Sequence, residues 1–170
     1  MNLLIIGAGG FGHVIADLAA QSGKFRQIQF LDDLRRGPNI LGHCSQFTEF
    51  CLPNTAAYPA FGNNAMRLEW LERLRHAGIP VPTIVHPTAY VSPTVHLGTG
   101  CVILPKAIVS TDVQLHAGCV VDCGAIVDHG CILEDGVRLA PGAVVRAENR
   151  VPSCMTIDAN QVLSYGCYPL

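Results

Sequence analysis

The chain has 170 residues, of which 49% are hydrophobic and 14% are charged, a composition too apolar for a disordered protein. A net charge of −2, with no basic run, excludes electrostatic binding to nucleic acid or to an anionic membrane. Every apolar run is interrupted before the roughly 18 residues of a membrane span, and the first residues lack the basic region of a secretion signal, so we expect a soluble, cytoplasmic protein.

The first elements along the chain predict a strand–helix–strand unit. Residues 3–6 form an apolar run typical of a buried strand, and the pattern over 13–21 predicts a helix that ends before Gly23. A second strand is predicted over 27–31. This order is typical of the start of a nucleotide-binding α/β domain.

A glycine-rich segment with the pattern G-x-G-x-x-G connects the first strand to the helix. Glycines there let the backbone approach a diphosphate at a helix N-terminus, and an acidic residue after the second strand can bind a ribose or a base. The predicted substrate-binding residues are Gly7, Gly9, Gly10, Gly12, Asp32 and Asp33. The alternative is that the glycines only pack the strand against the helix.

The length of this region limits what it can bind. About 80 residues precede the repeats described below, roughly half of a complete dinucleotide-binding fold. They predict a further strand over 56–61, a helix over 65–76 and a strand over 83–85. We therefore expect a half-site for a mononucleotide or a nucleotide sugar, with NAD as the less favoured ligand.

From Ala89 onward the sequence divides into thirteen consecutive hexads, and the third position of every hexad is aliphatic. These third positions are Val91, Leu97, Ile103, Val109, Leu115, Val121, Val127, Leu133, Leu139, Val145, Val151, Ile157 and Leu163. The sixth position is glycine in about half of the hexads, as tight corners with positive φ require.

Short strands that each end in a corner and point one aliphatic side chain inward predict a parallel β-helix of triangular cross-section. Three hexads make one coil, so thirteen make roughly four coils. From Asn149 the first and sixth positions lose their pattern while the third keeps it. We therefore expect this end to cap the β-helix.

Eight cysteines are present without any C-x-x-C pair, so we predict free thiols and no metal site. Three of them, Cys101, Cys119 and Cys131, stand at first positions of hexads. A small apolar side chain fits the wall of a β-helix at that place.

The chain resembles the hexapeptide-repeat acyltransferases, and among them the bacterial enzymes that acetylate sialic acid or UDP-amino-sugars for surface glycans. The segments that carry the resemblance are IIGAGGFGHVIADL, FLDD, FGNNAMR, IVHPTAYVSP and VDCGAIVDHGCILEDGVRLAPGAVV. The resemblance implies an α/β half-Rossmann domain for nucleotide sugar over 1–85 and an all-β left-handed parallel β-helix over 86–170. It also implies a homotrimer that binds acetyl-CoA, the co-substrate, between neighbouring β-helices, with no permanently bound cofactor.

The resemblance assigns the role of catalytic base to His129, since an imidazole has its pKa near the working pH. The family has an acidic residue directly after this histidine, where this chain has Gly130, so Asp128 becomes the candidate to orient the ring. Asp122 and Arg138 stand where the family has an amide and a histidine. Arg138 is the candidate contact to acetyl-CoA.

The sequence is compatible with two functions. One is transfer of an acetyl group to a hydroxyl or an amine of a sugar that is nucleotide-linked. The other is a non-catalytic member that binds nucleotide sugar or serves assembly. Gly130, Asp122, Arg138 and the short β-helix favour the second, whereas His129 favours the first.

A different class with the same β-helix, the γ-type carbonic anhydrases, is disfavoured. Those enzymes bind zinc through three histidines, two of which are very close in sequence. The histidines available in the repeats are His96, His116 and His129, which are separated by wider intervals.

Overall fold

The computed structural model describes residues 1–170 and divides into two compact units, Met1–Pro82 and Thr83–Leu170. The division lies three residues before the predicted one at 85/86. The reason is that Ile84–Val85 pairs in parallel with Val102–Ile103 and so belongs to the repeats. None of the helices is both long enough and apolar enough to cross a bilayer.

The first unit is built on a four-stranded parallel sheet. Its strands are β1 (Asn2–Ile6), β2 (Ile28–Leu31), β3 (Ile40–Gly42) and β4 (Thr55–Pro59), and its helices are α1 (Gly10–Gln21), α2 (Phe47–Phe50) and α3 (Asn64–His76), with a 3-10 turn over Cys44–Gln46. The strand order is β3-β2-β1-β4. Since β1 lies between β2 and β4, the glycine-rich segment leaves the sheet where the strand order reverses, the place where ligands bind in such sheets.

Both long helices begin near the residues that the sequence predicts. α3 starts after Asn63, whose side chain accepts a hydrogen bond from the Met66 N–H at 2.9 Å. α1 starts at Gly10, three residues earlier than predicted, because the glycines of its first turn adopt helical geometry despite their low propensity.

The edge strand β3 was not predicted. It has three residues, and its pairing with β2 shifts register at Phe30/Leu31. The Phe30 N–H donates to the Asn39 carbonyl at 2.8 Å and the Asp32 N–H to the Gly42 carbonyl at 3.0 Å. So short an edge strand shows no alternating pattern in the sequence.

The second unit consists of fourteen two-residue strands joined by corners. They are β5 (Ile84–Val85), β6 (Tyr90–Val91), β7 (His96–Leu97), β8 (Val102–Ile103), β9 (Ile108–Val109), β10 (Gln114–Leu115), β11 (Val120–Val121), β12 (Ile126–Val127), β13 (Ile132–Leu133), β14 (Arg138–Leu139), β15 (Val144–Val145), β16 (Arg150–Val151), β17 (Thr156–Ile157) and β18 (Val162–Leu163). Strand β5 adds one repeat before the thirteen predicted hexads. The chain is therefore a half-Rossmann α/β domain followed by a β-helix of hexapeptide repeats.

Every third strand stacks on the same face, which gives three parallel sheets. The Ile84 face holds β5, β8, β11, β14 and β17, the Tyr90 face holds β6, β9, β12, β15 and β18, and the His96 face holds β7, β10, β13 and β16. The third positions point inward and form the core with the first positions. The thiols of Cys101, Cys119 and Cys131 are buried there, and each donates to a backbone carbonyl.

The corners adopt left-handed backbone geometry whether or not they hold glycine. Gly130 has φ of +67°, and Asp112 and Glu148, one coil before and one coil after it, have φ of +58° and +57°. Non-glycine residues rarely take this geometry, and aspartate and asparagine do so most readily.

The last coil keeps strand structure although the sequence loses its pattern there, since β18 is formed by Val162–Leu163. Its inward residue, Leu163, is buried, with only 7% of its surface exposed. Asn149, fully buried, donates to the Arg146 and Ser164 carbonyls and accepts from the Tyr168 N–H. Tyr168 packs against the core at this end. The cap is therefore formed by the returning segment after β18, and the Asn149 amide holds it in place.

Candidate active site

Two of the four predicted glycines are required by the backbone itself. Gly7 has φ of +101°, which side chains rarely allow. At Gly12 an added Cβ would come closer to the Gly7 carbonyl oxygen than the 3.0 Å that real Cβ atoms keep. Packing between β1 and α1 therefore accounts for glycine at these two positions.

Gly9 and Gly10 are not required in this way. A Cβ at either would meet nothing within 4 Å, and φ of −74° at Gly9 suits any residue. Gly9 is the N-cap of α1, no side chain caps this end, and the N–H groups of Gly9 and Gly10 have no acceptor in the chain. Unpaired N–H groups at a helix N-terminus, with open space beside them, can bind an anion such as a diphosphate.

Both oxygens of the Asp32 carboxylate bind main-chain N–H groups. Oδ2 accepts from Ala8 at 2.7 Å, and Oδ1 accepts from Leu34 at 2.9 Å and from Arg35 at 2.7 Å. Burial alone would raise the pKa of Asp32, but these hydrogen bonds outweigh it and lower that pKa. The ionised carboxylate thus joins the glycine-rich segment to the loop after β2.

Asp33 is the more accessible of the two acids after β2. Its Oδ1 accepts from the Cys44 N–H at 2.9 Å and lies 3.6 Å from Nδ1 of His43, while its side chain is 62% exposed. Burial and the charges of Asp33 and Asp32 raise the pKa of Cys44 to about 11. That thiol stays protonated and donates to the Leu31 carbonyl at 3.6 Å, so Cys44 is no nucleophile.

A cavity of about 590 Å³ starts at Ala8 and follows α1 towards β2, β3 and the loop between them. Its lining includes apolar side chains of Phe30 and Ile40, and polar side chains of His13 and Arg35, which the sequence interpretation did not select. The only signal for Arg35 is a charged residue shortly after a predicted strand. Ala8, which lines the cavity, directly precedes Gly9 and Gly10 in the chain.

His129 lies at the corner that connects the Tyr90 face to the His96 face, and its side chain is exposed. Its N–H donates to Oδ1 of Asp128 at 2.8 Å, and its carbonyl accepts from the Glu148 N–H at 3.1 Å. The backbone is thus held on both sides, while the imidazole has no hydrogen-bond partner in its own chain. The Asp128 carboxylate contacts the backbone of His129 and not its ring.

Arg138 lies on the Ile84 face in an ion pair with Asp122. Nη2 of Arg138 is 2.8 Å from Oδ2 of Asp122, and the two side chains are 24% and 11% exposed. Oδ1 of Asp122 also accepts from the Cys123 N–H at 2.9 Å. Two of the three positions at which this chain differs from the resembled pattern are therefore in direct contact with each other.

A single β-helix does not bring His129 and Arg138 together. His129 follows β12 of the Tyr90 face, and the corner it occupies leads to the His96 face. Arg138 belongs to β14 on the Ile84 face, which lies opposite that corner in a triangular cross-section. A site that contains both residues needs two copies of the chain.

Comparison with known proteins matches both units. Residues 2–74 match the family described as PglD N-terminal domain, and residues 112–147 match the bacterial transferase hexapeptide (six repeats) family. The UDP-N-acetylbacillosamine N-acetyltransferase of Bacillus subtilis (strain 168) is 33% identical over 110 residues, 61% of this chain and 51% of the relative. The chain thus spans about half the length of this curated relative.

Solved structures extend the match to nearly the whole chain. The acetyltransferase domain of PglB from Neisseria gonorrhoeae FA1090, in complex with acetyl coenzyme A, is 34% identical with a TM-score of 0.91, over 95% of this chain and 80% of that one. WeeI from Acinetobacter baumannii AYE, at 18% identity and a TM-score of 0.74 over 98% and 90% of the two chains, shares the fold. With both of its units matched, the chain belongs to the hexapeptide-repeat acetyltransferases that carry a PglD-type N-terminal domain.

Proposed function

We propose that the protein transfers the acetyl group of acetyl-CoA to an amine of a nucleotide-linked sugar. The observation that carries the proposal is the 34% identity, over 95% of this chain, to an acetyltransferase domain whose structure contains acetyl coenzyme A. The curated relative acts on a UDP-linked amino sugar, as its name states, which supports an amine over a hydroxyl as the acceptor group.

His129 serves as the general base in this proposal. Its imidazole accepts the proton that the acceptor amine loses as the nitrogen attacks the thioester carbonyl. The carbon–sulfur bond then breaks, the acetyl group stays on nitrogen as an amide, and CoA leaves with a proton. The exposed ring and the fixed backbone of His129 support the role, since the base must reach its substrate without moving far.

The acceptor's diphosphate binds the N–H groups of Gly9 and Gly10, and Asp33 is the acid that contacts the nucleoside. The surroundings of each residue support this assignment. Gly7 and Gly12 serve packing, and both oxygens of Asp32 are occupied by main-chain N–H groups. Gly9 and Gly10 face open space, and the Asp33 side chain, although its Oδ1 accepts from the Cys44 N–H, is 62% exposed.

The active form is a trimer in which the Tyr90 face contacts a second copy. The outward residues of that face stand in register and are all apolar, namely Tyr90, Ile108, Ile126, Val144 and Val162. Tyr90 is 56% and Val162 55% exposed. An apolar stripe along one whole face is typical of an interface. The His96 face has no such stripe, since its outward residues are His96, Gln114, Ile132 and Arg150, of which only Ile132 is apolar.

Ile126→Glu is expected to convert the trimer into smaller species, because it would bury an unpaired carboxylate at the centre of the stripe. Light scattering at micromolar concentration should give three times the 18.2 kDa of one chain for the wild type and a lower mass for the variant. Gln114→Glu, the same charge on the His96 face, is the matched control and should stay trimeric. A monomeric wild type would contradict the assembly.

Such a trimer brings His129 of one subunit close to another subunit. The acetyl-CoA groove then has His129 on one wall, and Arg138, fixed by Asp122, supplies a cation from the neighbouring wall. Surface-glycan synthesis in the cytoplasm is the setting that fits this reaction. The buried thiols that donate to carbonyls support a reducing compartment.

The test is acetyl transfer by the purified protein. We expect release of CoA from acetyl-CoA in the presence of a UDP-linked amino sugar, with an N-acetylated product of matching mass. The non-catalytic alternative is favoured by the lack of any hydrogen-bond partner for the His129 ring within the chain. Tight binding of the sugar nucleotide without CoA release from any amino sugar or sialic acid would establish that alternative.

A further inference from the structure

The corner of the β-helix that holds His129 contains a glutamate that the proposed reaction leaves unused. The parallel pairing of β12 with β15 places Ala147 and Glu148 one coil after His129 and Gly130. The pairing of β15 with β18 places Tyr165 one coil further along. These residues therefore line the same corner as the proposed base.

The main chain fixes Glu148 beside the histidine. Its N–H donates to the His129 carbonyl at 3.1 Å, and its φ is +57°. The corner residues one coil before and one coil after it, Gly130 and Gly166, are glycines with φ of +67° and +74°. Left-handed geometry is unfavourable for a glutamate and is found preferentially at functional sites, where the surrounding structure holds it.

The side chain of Glu148 extends alongside Gly130, the residue bonded to His129. A Cβ added to Gly130 would lie 3.5 Å from Cγ of Glu148. Oε2 of Glu148 accepts from the Tyr165 hydroxyl at 2.9 Å, and this bond raises the pKa of Tyr165, which therefore remains a donor. Oε1 has no hydrogen-bond partner in the chain. Tyr165 thus holds one carboxylate oxygen and leaves the other free.

A histidine that has acted as a base carries two N–H groups. One of them holds the proton taken from the acceptor amine, and the other can donate to an acceptor in the protein. A carboxylate stabilises the charged ring more than a neutral acceptor does, because the hydrogen bond and the opposite charge act together. The proposed base therefore gains from a carboxylate within reach of its ring.

Three carboxylates stand on this corner, those of Asp112, Asp128 and Glu148. Oδ1 of Asp128 accepts from the His129 N–H at 2.8 Å, which directs that carboxylate to the backbone. Asp112 stands one coil before Gly130, and none of its atoms would lie within 4 Å of a Cβ added there. Glu148 is the acid whose side chain comes that close and has an oxygen to spare.

We infer that Glu148 is the positioning residue of the base: its Oε1 accepts the second N–H of the His129 ring once the ring has taken the acceptor's proton. Ala147, one coil after His129, has only a methyl side chain, so it does not block rotation of the exposed ring towards Glu148. Tyr165 supports the arrangement by holding the carboxylate in place. The inference rests on the proposed function, since it takes His129 as the base.

The experiment compares the steady-state kinetics of Glu148→Gln and the wild type, with acetyl-CoA and a UDP-linked amino sugar as substrates. Glutamine can still accept from Tyr165 through its amide oxygen, but it carries no charge. We expect kcat to fall by roughly 10–100-fold, the usual loss for a hydrogen bond to a charged group. Both KM values should stay within about twofold, because the bond forms only after proton transfer has begun.

A carboxylate restored at the neighbouring residue separates positioning from a structural role. Glu148→Gln combined with Gly130→Asp should recover most of the lost kcat, which no repair of the fold would explain. Asp112→Asn is the matched control, because Asp112 shares the corner and the left-handed geometry, with φ of +58°. It should keep the wild-type kcat.

Three results would overturn the inference while acetyl transfer by the wild type still stands. They are a wild-type kcat for Glu148→Gln, a double variant that stays as slow as Glu148→Gln, and an equal loss for Asp112→Asn, which would indicate an effect of net charge alone. A wild type that releases no CoA with any amino sugar would instead contradict the proposed function itself.

Discussion

His129→Ala is expected to lower turnover by roughly 10²–10⁴-fold, the usual contribution of a general base. Alanine cannot accept the proton that the attacking amine must lose. The corner should keep its fold, since the His129 side chain is exposed and its hydrogen bonds are made by the backbone. Steady-state kinetics of CoA release under saturating substrates measure the effect.

His96→Ala is the matched control, because His96 is also exposed but points outward from the His96 face. It should keep wild-type turnover, and both variants should keep the trimer and the binding of nucleotide sugar. If His129→Ala keeps more than about a tenth of the wild-type turnover, then another group is the base.

Gly130→Asp places an acidic residue directly after the histidine, as in the resembled family. The corner admits it, since Asp112 holds φ of +58° one coil earlier and a new Cβ would lie 3.5 Å from Cγ of Glu148. Turnover should rise or hold, because a carboxylate near the imidazole stabilises its protonated form. A loss of activity without a loss of stability would contradict an orienting role for that carboxylate.

Gly9→Val is expected to abolish the binding of UDP-linked sugars with little effect on the fold. Its side chain would enter the open space that we assign to the diphosphate, where nothing in the chain lies within 4 Å. A ligand at a hundredfold excess over its Kd stabilises the wild type by about 2.7 kcal/mol, and this gain should vanish in the variant. Thermal unfolding with and without ligand measures both quantities.

Gly12→Val separates binding from packing within the same motif. Its side chain would collide with the Gly7 carbonyl, so the free energy of unfolding should fall by roughly 1–3 kcal/mol. Gly10→Val is a second variant that should lose binding of the sugar nucleotide, because its side chain would also enter the open space. It should keep the fold, since valine has a higher helix propensity than glycine. Stabilisation of Gly9→Val by the sugar nucleotide would contradict the diphosphate site, and equal stabilisation of the wild type by NAD would favour a dinucleotide.

The β-helix could be predicted from the sequence because the residues that determine each strand and corner lie within one hexad. A period of six with one aliphatic inward residue persists from Val91 to Leu163, and these residues form the core of the β-helix. The sequence predicted a strand over 83–85 but did not count residues 83–88 as a repeat. Only the third position of that hexad, Val85, fits the repeat pattern, because threonine stands at its first and sixth positions. The edge strand β3 was missed because three residues carry no period.

The candidate site could be predicted only in part. The motif identified all four glycines, but the collision at Gly12 and the open space at Gly9 depend on β1, α1 and the segment after β4, which the sequence does not place in relation to one another. The same holds for Asp32. Its residue type suggested a ligand contact, and its three hydrogen bonds to main-chain N–H groups appear only once the loop is folded.

The sequence by itself determined the two-part architecture, the repeat and the position of His129 at a corner, because each depends on residues a few places apart. Only the tertiary structure decided which residues meet. It paired Asp122 with Arg138 across 16 positions, placed Arg138 and His129 on different sides of the β-helix, and left Arg35 unpaired beside a cavity. Contacts between residues far apart in the chain depend on how the coils and strands stack, and that stacking is set by the whole core.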